Sequence, residues 1–549
     1  MNEDISEASL MCHQPRKLRL LYEPLCLLYT LSQVRGDRIK PSEILQEEPG
    51  LTDPKRCRDF VDAIAYICAY RKEPGYVTAV ALEETPEEIV ILLAANSGID
   101  SKVTSLLETI QRILSWVISN HTVRLDEKEG QQIFKFLADC VLSLNAPKIF
   151  QYYQQVNKTV SLVMDRLCTE STLKGTRPYF SSFRENPALL RIKANVQLRA
   201  DRDSIIKLRT WFAANLSKDG IPLQESDMPT LALSSYRDQD VFKALYDHPG
   251  NAEQSRHFER LSKLLYKLGK HVSQCKRLIL ATMGLRSQLA RGLRIETINR
   301  SPEKRITLSA RTCNIKMISN RMFSLPAERE QFLRQLQQIY SEDELDRVLS
   351  RDLCKSKTRV HAELLVLDHF EQTRGRFLFE QDRYIGCSKP ACYLCHLFIT
   401  CHPGKYAIPP SHQKLYTAWR LPDIHASGSN AAIRYRDQKD ILSRMTDTVR
   451  RNLTNDIATS AGRRMNHADS TAGGTSTIID IESDLISSTA NLSIEEFIET
   501  LDLQYKAGPN PRASVVDTVF PPLSNSSSPS EDSAEAESDD ESPIGGVKL

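Results

Sequence analysis

The chain has 549 residues, of which 41% are hydrophobic and 26% charged, a balance that suits a soluble globular protein of about three domains. The longest apolar run near the start, residues 18–28, is interrupted by Arg19, Tyr22, Glu23 and Pro24, which excludes a membrane span or a leader core there. Net charge is +2 but unevenly spread: 67 Lys+Arg stand against 54 Asp+Glu before Ala461, and 5 against 16 from there on. A basic body with an acidic tail is compatible with a phosphate-bearing partner and equally with a solubility device.

Thirteen cysteines are an odd number, and nine of them are dispersed without a repeating spacing. They read as buried thiols of a reducing compartment, so the expectation is a cytoplasmic or nuclear protein. Cys387, Cys392, Cys395 and Cys401 cluster.

From about residue 16 to 290 the apolar spacing is helical, as at 87–95, 101–118, 131–144 and 149–167, and no fixed period names a repeat family. Breaks are expected near Pro74, Pro147, Pro178 and Pro249. Arg256, Arg260, Lys263, Lys267 and Lys270 share one helical face opposite Phe258, Leu261, Leu265, Leu268 and Val272. That stripe reads as the wet side of an amphipathic helix or as a track for a phosphate backbone.

The texture changes near 305, where 305–308 and 314–318 suggest a pair of strands. Helices are expected at 326–340 and 342–352, the latter opened by a capping-box arrangement, then at 361–373. Residues 383–387 read as a short buried strand, Lys389-Pro390 as a second helix start, 406–408 as another strand, and 431–457 as a last helix. Beyond Ala461 the chain is rich in Ser, Thr, Gly and Asp, with a helical island at 494–503. Residues 524–541 are acidic and serine-rich, should be disordered, and suit phosphorylation.

The chemistry concentrates in His361-Ala362-Glu363 and Cys392-Tyr393-Leu394-Cys395. One histidine, two cysteines and a carboxylate that need not bind are what a three-ligand catalytic zinc with a bound water and a general base requires. Cys392 and Cys395 lie one turn apart near a helix N-terminus that favours thiolates. His361 and Glu363 would point about 200° apart on a regular helix, so the pair works only if His361 stands at a helix start. Glu363 would then move a proton from water to a ring nitrogen and to a leaving amine, which is hydrolytic deamination. Four other readings compete: haem attachment through Cys392-x-x-Cys395-His396, a redox dithiol, a structural zinc using Cys387, Cys401 or His402, and a coincidence of buried cysteines with an unrelated histidine. Cys401 lies about 9 Å beyond Cys395 on a continuous helix, too far to share a metal.

His361-Ala362-Glu363 with Cys392-x-x-Cys395 resembles the zinc-dependent cytidine-deaminase-like superfamily. The phrase around Ile385-Gly386-Cys387-Ser388-Lys389-Pro390-Ala391-Cys392, with His412-Gln413-Lys414-Leu415-Tyr416 and Trp419, looks like a fungal lineage-expanded branch of nucleic acid or nucleotide deaminases. The resemblance covers residues 305–455. It implies Zn2+ held by His361, Cys392 and Cys395, Glu363 as proton shuttle to a zinc-bound water nucleophile, and a cytosine- or adenine-type base as substrate. Ala391 departs from the pattern, which has proline directly before the first cysteine, and leaves Cys387 as an alternative ligand.

The expected fold is α+β and helix-rich. An irregular helical region at 1–300 precedes a three-layer α/β/α deaminase-like domain at 301–460 with a mixed sheet of about five strands, and a tail at 461–549. Tyr384, Tyr393, His412, Tyr416 and Trp419 are candidates to stack on a base, and Lys414 and Arg420 to meet phosphate. The expected partner is a nucleotide, RNA or DNA, with protein partners through the helical region and the tail. A catalytically silent zinc-containing scaffold is the alternative, against which the presence of Glu363 argues.

Overall fold

The sheet at the centre of the structure, a computed structural model, draws its two longest strands from a part of the chain far from the motif. The structure describes residues 15–458 except 32–33, 43–52, 171–203, 205, 219, 246–251, 306–313, 340, 342–345, 348, 350–356 and 429. The strands are β1 (Thr78–Glu84), β2 (Ile89–Ala95), β3 (Leu293–Ile298), β4 (Arg376–Phe377) and β5 (Gly386–Cys387). Their order is β3-β2-β1-β4, and β5 also pairs with β1. The β1 pairings are antiparallel and β2–β3 is parallel, so the sheet is mixed, as expected.

The helices used below are α1 (Pro15–Leu31), α2 (Asp53–Cys68), α3 (Ser101–Ser119), α4 (Lys128–Glu170), α5 (Met228–Arg237), α6 (Ala252–Gly284), α7 (Ile315–Met322), α8 (Pro326–Gln337), α9 (Ala362–Thr373), α10 (Tyr393–Cys401) and α11 (Ala431–Ala458). Side-chain alternation on the strands assigns them to layers. Ala79, Ala81, Val90, Leu92 and Ala94 face one core with residues of α1, α9, α10 and α11. Val80, Leu82, Ile89, Ile91 and Leu93 face the other, with residues of α2, α3 and α6. This is a three-layer α/β/α arrangement with both motif helices on one face. A third cluster joins α4, α5 and the first half of α6.

Several local expectations differ from the structure. Residues 87–95 were expected to be helical, yet Ile89–Ala95 is a strand in which every residue is buried. A strand covered on both faces is apolar throughout, and in so short a run it looks like a buried helix. The expected strand at 314–318 is the start of α7: Asn314 caps it by accepting from Met317 N at 2.9 Å, and Ile315 and Ile318 share the buried side. Of the other expected strand, Arg305 pairs with Lys357 and the rest lies outside the described residues.

Helix α4 runs through Pro147 instead of breaking. Residues 406–408 form no strand, although Ala407 N donates to the Arg383 carbonyl. The helix at 342–352 lies mostly, and the Pro178 and Pro249 breaks, the island at 494–503 and the acidic tail wholly, outside the described residues.

β5 runs directly under α2. A Cβ on Gly386 would stand 2.8 Å from Asp62 N and from the Val61 carbonyl carbon, so glycine is what lets the segment leading to Cys392 pass there. Among the described residues no helix is long and apolar enough to cross a membrane.

Candidate metal centre and deaminase motif

His361 is the N-cap of α9, with extended backbone at φ −78° and ψ 154°. The helix therefore begins at Ala362, and the capping histidine and Glu363 are close enough for the charge of each to act on the other, as a helix start allows. What fixes this start is Asn96, at the end of β2: its Oδ1 accepts from Ala362 N at 2.7 Å while its Nδ2 donates to the Pro74 carbonyl at 2.7 Å. Sequence reasoning missed Asn96, because nothing local marks a partner 266 residues away.

Cys392 is likewise an N-cap, of α10, and its Sγ accepts from Cys395 N at 3.4 Å. The helix starts three residues after Pro390, not at it. Ala391 N donates to the Pro410 carbonyl at 2.8 Å, and the Ala391 carbonyl accepts from Ser411 Oγ at 2.8 Å. Proline at 391 would have no N–H for the first of these bonds. The departure from the family pattern thus has a physical reason here.

His361 Nδ1 lies 3.6 Å from Cys392 Sγ and 3.3 Å from Cys395 Sγ. The three donor atoms all fall within 4.8 Å of one another. With Zn–S about 2.3 Å and Zn–N about 2.0 Å, neighbouring donors of a tetrahedral zinc stand about 3.6 Å apart, so the set is compatible with a bound metal. Cys387, on β5, is not in this cluster, and neither is Cys401.

The two thiols are driven in opposite directions. Burial alone would raise the Cys392 thiol, but a hydrogen bond with Cys395 and the charge of His361 outweigh it and hold Cys392 well below the usual thiol range. Cys395, buried and beside that thiolate, is pushed well up. Burial also raises Glu363, and His361 offsets part of the effect. Glu363 is 5% exposed, lines a small hollow with Cys387 and Ala391, and leaves Oε2 with no hydrogen-bond partner.

Around this centre the expected aromatic residues divide. Trp419 is fully buried and donates Nε1–H to Cys395 Sγ at 3.2 Å. Its backbone is placed by pairing with Arg359 and by Tyr22 Oη, which donates to the Trp419 carbonyl. Tyr393 is buried, with its phenol oxygen accepting from Asn452 of α11. Tyr384 is buried with its hydroxyl on Asp62.

His412 is buried and accepts from Lys414 N at Nδ1. Burial and the charges of Lys414, Lys389, Arg38 and His361 bring it down to about 3. Tyr416 alone of these five is half-buried, in edge contact with both His361 and His412. Arg420 is buried on Asp423 and the Pro302 carbonyl, and Lys414 is half-buried.

Residues 360–423 match the family model of the OTT_1508_deam-like deaminases. The matched stretch is that of a deaminase family. It contains His361, Glu363, Cys392, Cys395, Tyr416 and Trp419 but neither Asn96 nor the two longest strands, and its His/Cys/Cys cluster is consistent with the cytidine-deaminase-like superfamily. No curated protein and no solved structure matches the chain.

Proposed function

We propose that the chain is a zinc-dependent hydrolytic deaminase acting on a cytosine- or adenine-type base in a nucleotide or nucleic acid. The observation that carries this reading is the buried Glu363 carboxylate with its unpartnered Oε2 beside three donors spaced for zinc. A structural metal needs the donors alone, whereas a buried carboxylate with one oxygen left without a partner carries a desolvation cost and finds its use in proton transfer.

His361, Cys392 and Cys395 would hold the ion, and zinc bound there supplies a water whose pKa falls from 15.7 to about 7. Glu363 takes a proton at its free oxygen and delivers it to a ring nitrogen. It passes a second to the amine, which leaves as ammonia while the ring carbon gains a carbonyl oxygen. Tyr416 supplies the aromatic edge beside His361.

Metal analysis and ammonia release test the reading. Purified protein should hold about one zinc per chain, lost in Cys392→Ser, while Glu363→Gln keeps zinc and loses ammonia release from a panel of nucleosides, nucleotides, DNA and RNA. Absence of zinc sinks the proposal. Zinc without ammonia from any member of the panel turns it into a scaffold protein.

A further inference from the structure

Next to the motif lies a concentration of inward-facing positive charge that the deamination chemistry does not use. Lys148 of α4 and Lys267 of α6 are 3% and 8% exposed, and Lys270 and Lys389 are half-buried. Lys148 Nζ and Lys270 Nζ stand 4.3 and 4.8 Å from the centroid of one ring, Tyr66, and Lys267 Nζ lies 5.5 Å from that of Tyr152. Lys389 donates to the Lys72 carbonyl at 2.9 Å, three residues before Cys392.

Burial and mutual repulsion lower Lys267 to about 7, and burial with the charge of Arg277 lowers Lys270 to about 8. The wet side of a helix does not behave so. The residues expected to form an exposed stripe instead turn part of it inward, toward the segment that carries the zinc cysteines.

The small open cleft there is lined by Lys270, Arg277 and Lys389, with Asp62 the one acidic side chain among its described walls and Asp59 paired with Arg277 from beside it. It shares Ile385, Cys387, Ala391 and Pro409 as walls with the cavity that Glu363 lines. The cleft and the side of Glu363 are thus neighbours across residues 385–391, the segment that leads to Cys392. A nucleotide unit carries a phosphate beside a base, and lysine and arginine side chains are suited to phosphate oxygens.

We propose that the cleft of Lys270, Arg277 and Lys389 binds a phosphate group of the substrate, so that the base reaches Glu363 as part of a phosphorylated nucleotide unit. The identity of the base rests on the deaminase reading, while the phosphate rests on the cleft. A 5′-phosphate of a mononucleotide and a backbone phosphate of a strand share this chemistry.

Titration calorimetry of the full chain with pyrophosphate tests the site without turnover. Pyrophosphate should bind, and Lys270→Met and Lys389→Met should each weaken it roughly tenfold or more, while exposed Lys263→Met leaves it unchanged. Lys270→Arg, which keeps the charge, should retain binding and guards against a folding defect in the methionine variant.

AMP and CMP should displace pyrophosphate and adenosine and cytidine should not. A 5′-phosphorylated dinucleotide that displaces it better than either mononucleotide identifies the strand as the source. No pyrophosphate binding, indifference to both lysine variants, or equal displacement by nucleosides overturns the proposal. Ammonia release separates the two readings. Lysine-dependent binding with no ammonia from any substrate leaves the phosphate site standing and removes the deaminase. Equal kcat/KM for nucleosides and nucleotides, unchanged in the lysine variants, removes the phosphate site and leaves the deaminase.

Discussion

Asn96 Oδ1 accepts the backbone N–H of Ala362 at 2.7 Å, tying the end of the second strand to the first turn of the motif helix. That single bond explains how a strand near residue 90 sets the direction of His361. Replacing Asn96 by alanine leaves a buried helix N–H without a partner, at a cost of about 1–3 kcal/mol. Asn96→Ala should lower the urea midpoint and release zinc to a chelator about tenfold more readily. Asn96→Asp, which keeps the acceptor, should retain most zinc affinity. Equal zinc loss in both variants would mean the bond does not orient the ligand.

Trp419 acts on the other side of the site, donating to Cys395 Sγ at 3.2 Å from a fully buried position. A hydrogen bond to a ligand sulfur tunes the metal, and losing such a partner weakens metal binding about 10–100-fold. Trp419→Phe keeps an aromatic ring in the core but removes the N–H. The cobalt-substituted variant should show a shifted thiolate-to-metal absorption band and weaker metal retention. An unchanged band would limit Trp419 to packing.

Lys267 gives the pH dependence of stability. Burial first, then the charges of Lys72, Lys270, Arg38 and Lys263, lower it from 10.5 to about 7. Between those values the unfolded chain holds a proton that the folded chain does not, so stability rises with pH from about 7 to about 10 and is flat below. Denaturation in an anion-poor buffer should show wild type gaining stability between pH 7 and 9, on the order of a few kcal/mol at most. Lys267→Met should be more stable than wild type at pH 7 and show a shallower slope. A variant less stable than wild type at pH 7 would mean the lysine stem packs better than methionine and the charge costs little.

The sequence by itself determined which residues are the candidates for the site. His361, Glu363, Cys392 and Cys395 stand in two short segments whose residue types and spacing are local properties, and the structure brings the three donors together with Glu363 beside them. The helices at 101–118 and 431–457 were equally legible, because a one-sided apolar stripe repeats over many turns. Strand β2 was not, since burial on both faces erases the alternation that would mark it. Nor could local pattern show that β1, β2 and β3 complete the motif's sheet, that Trp419 is buried against the Cys395 sulfur, or that Lys148, Lys267 and Lys270 turn inward. Each depends on contacts between residues far apart in the chain, and those are decided by how the layers pack.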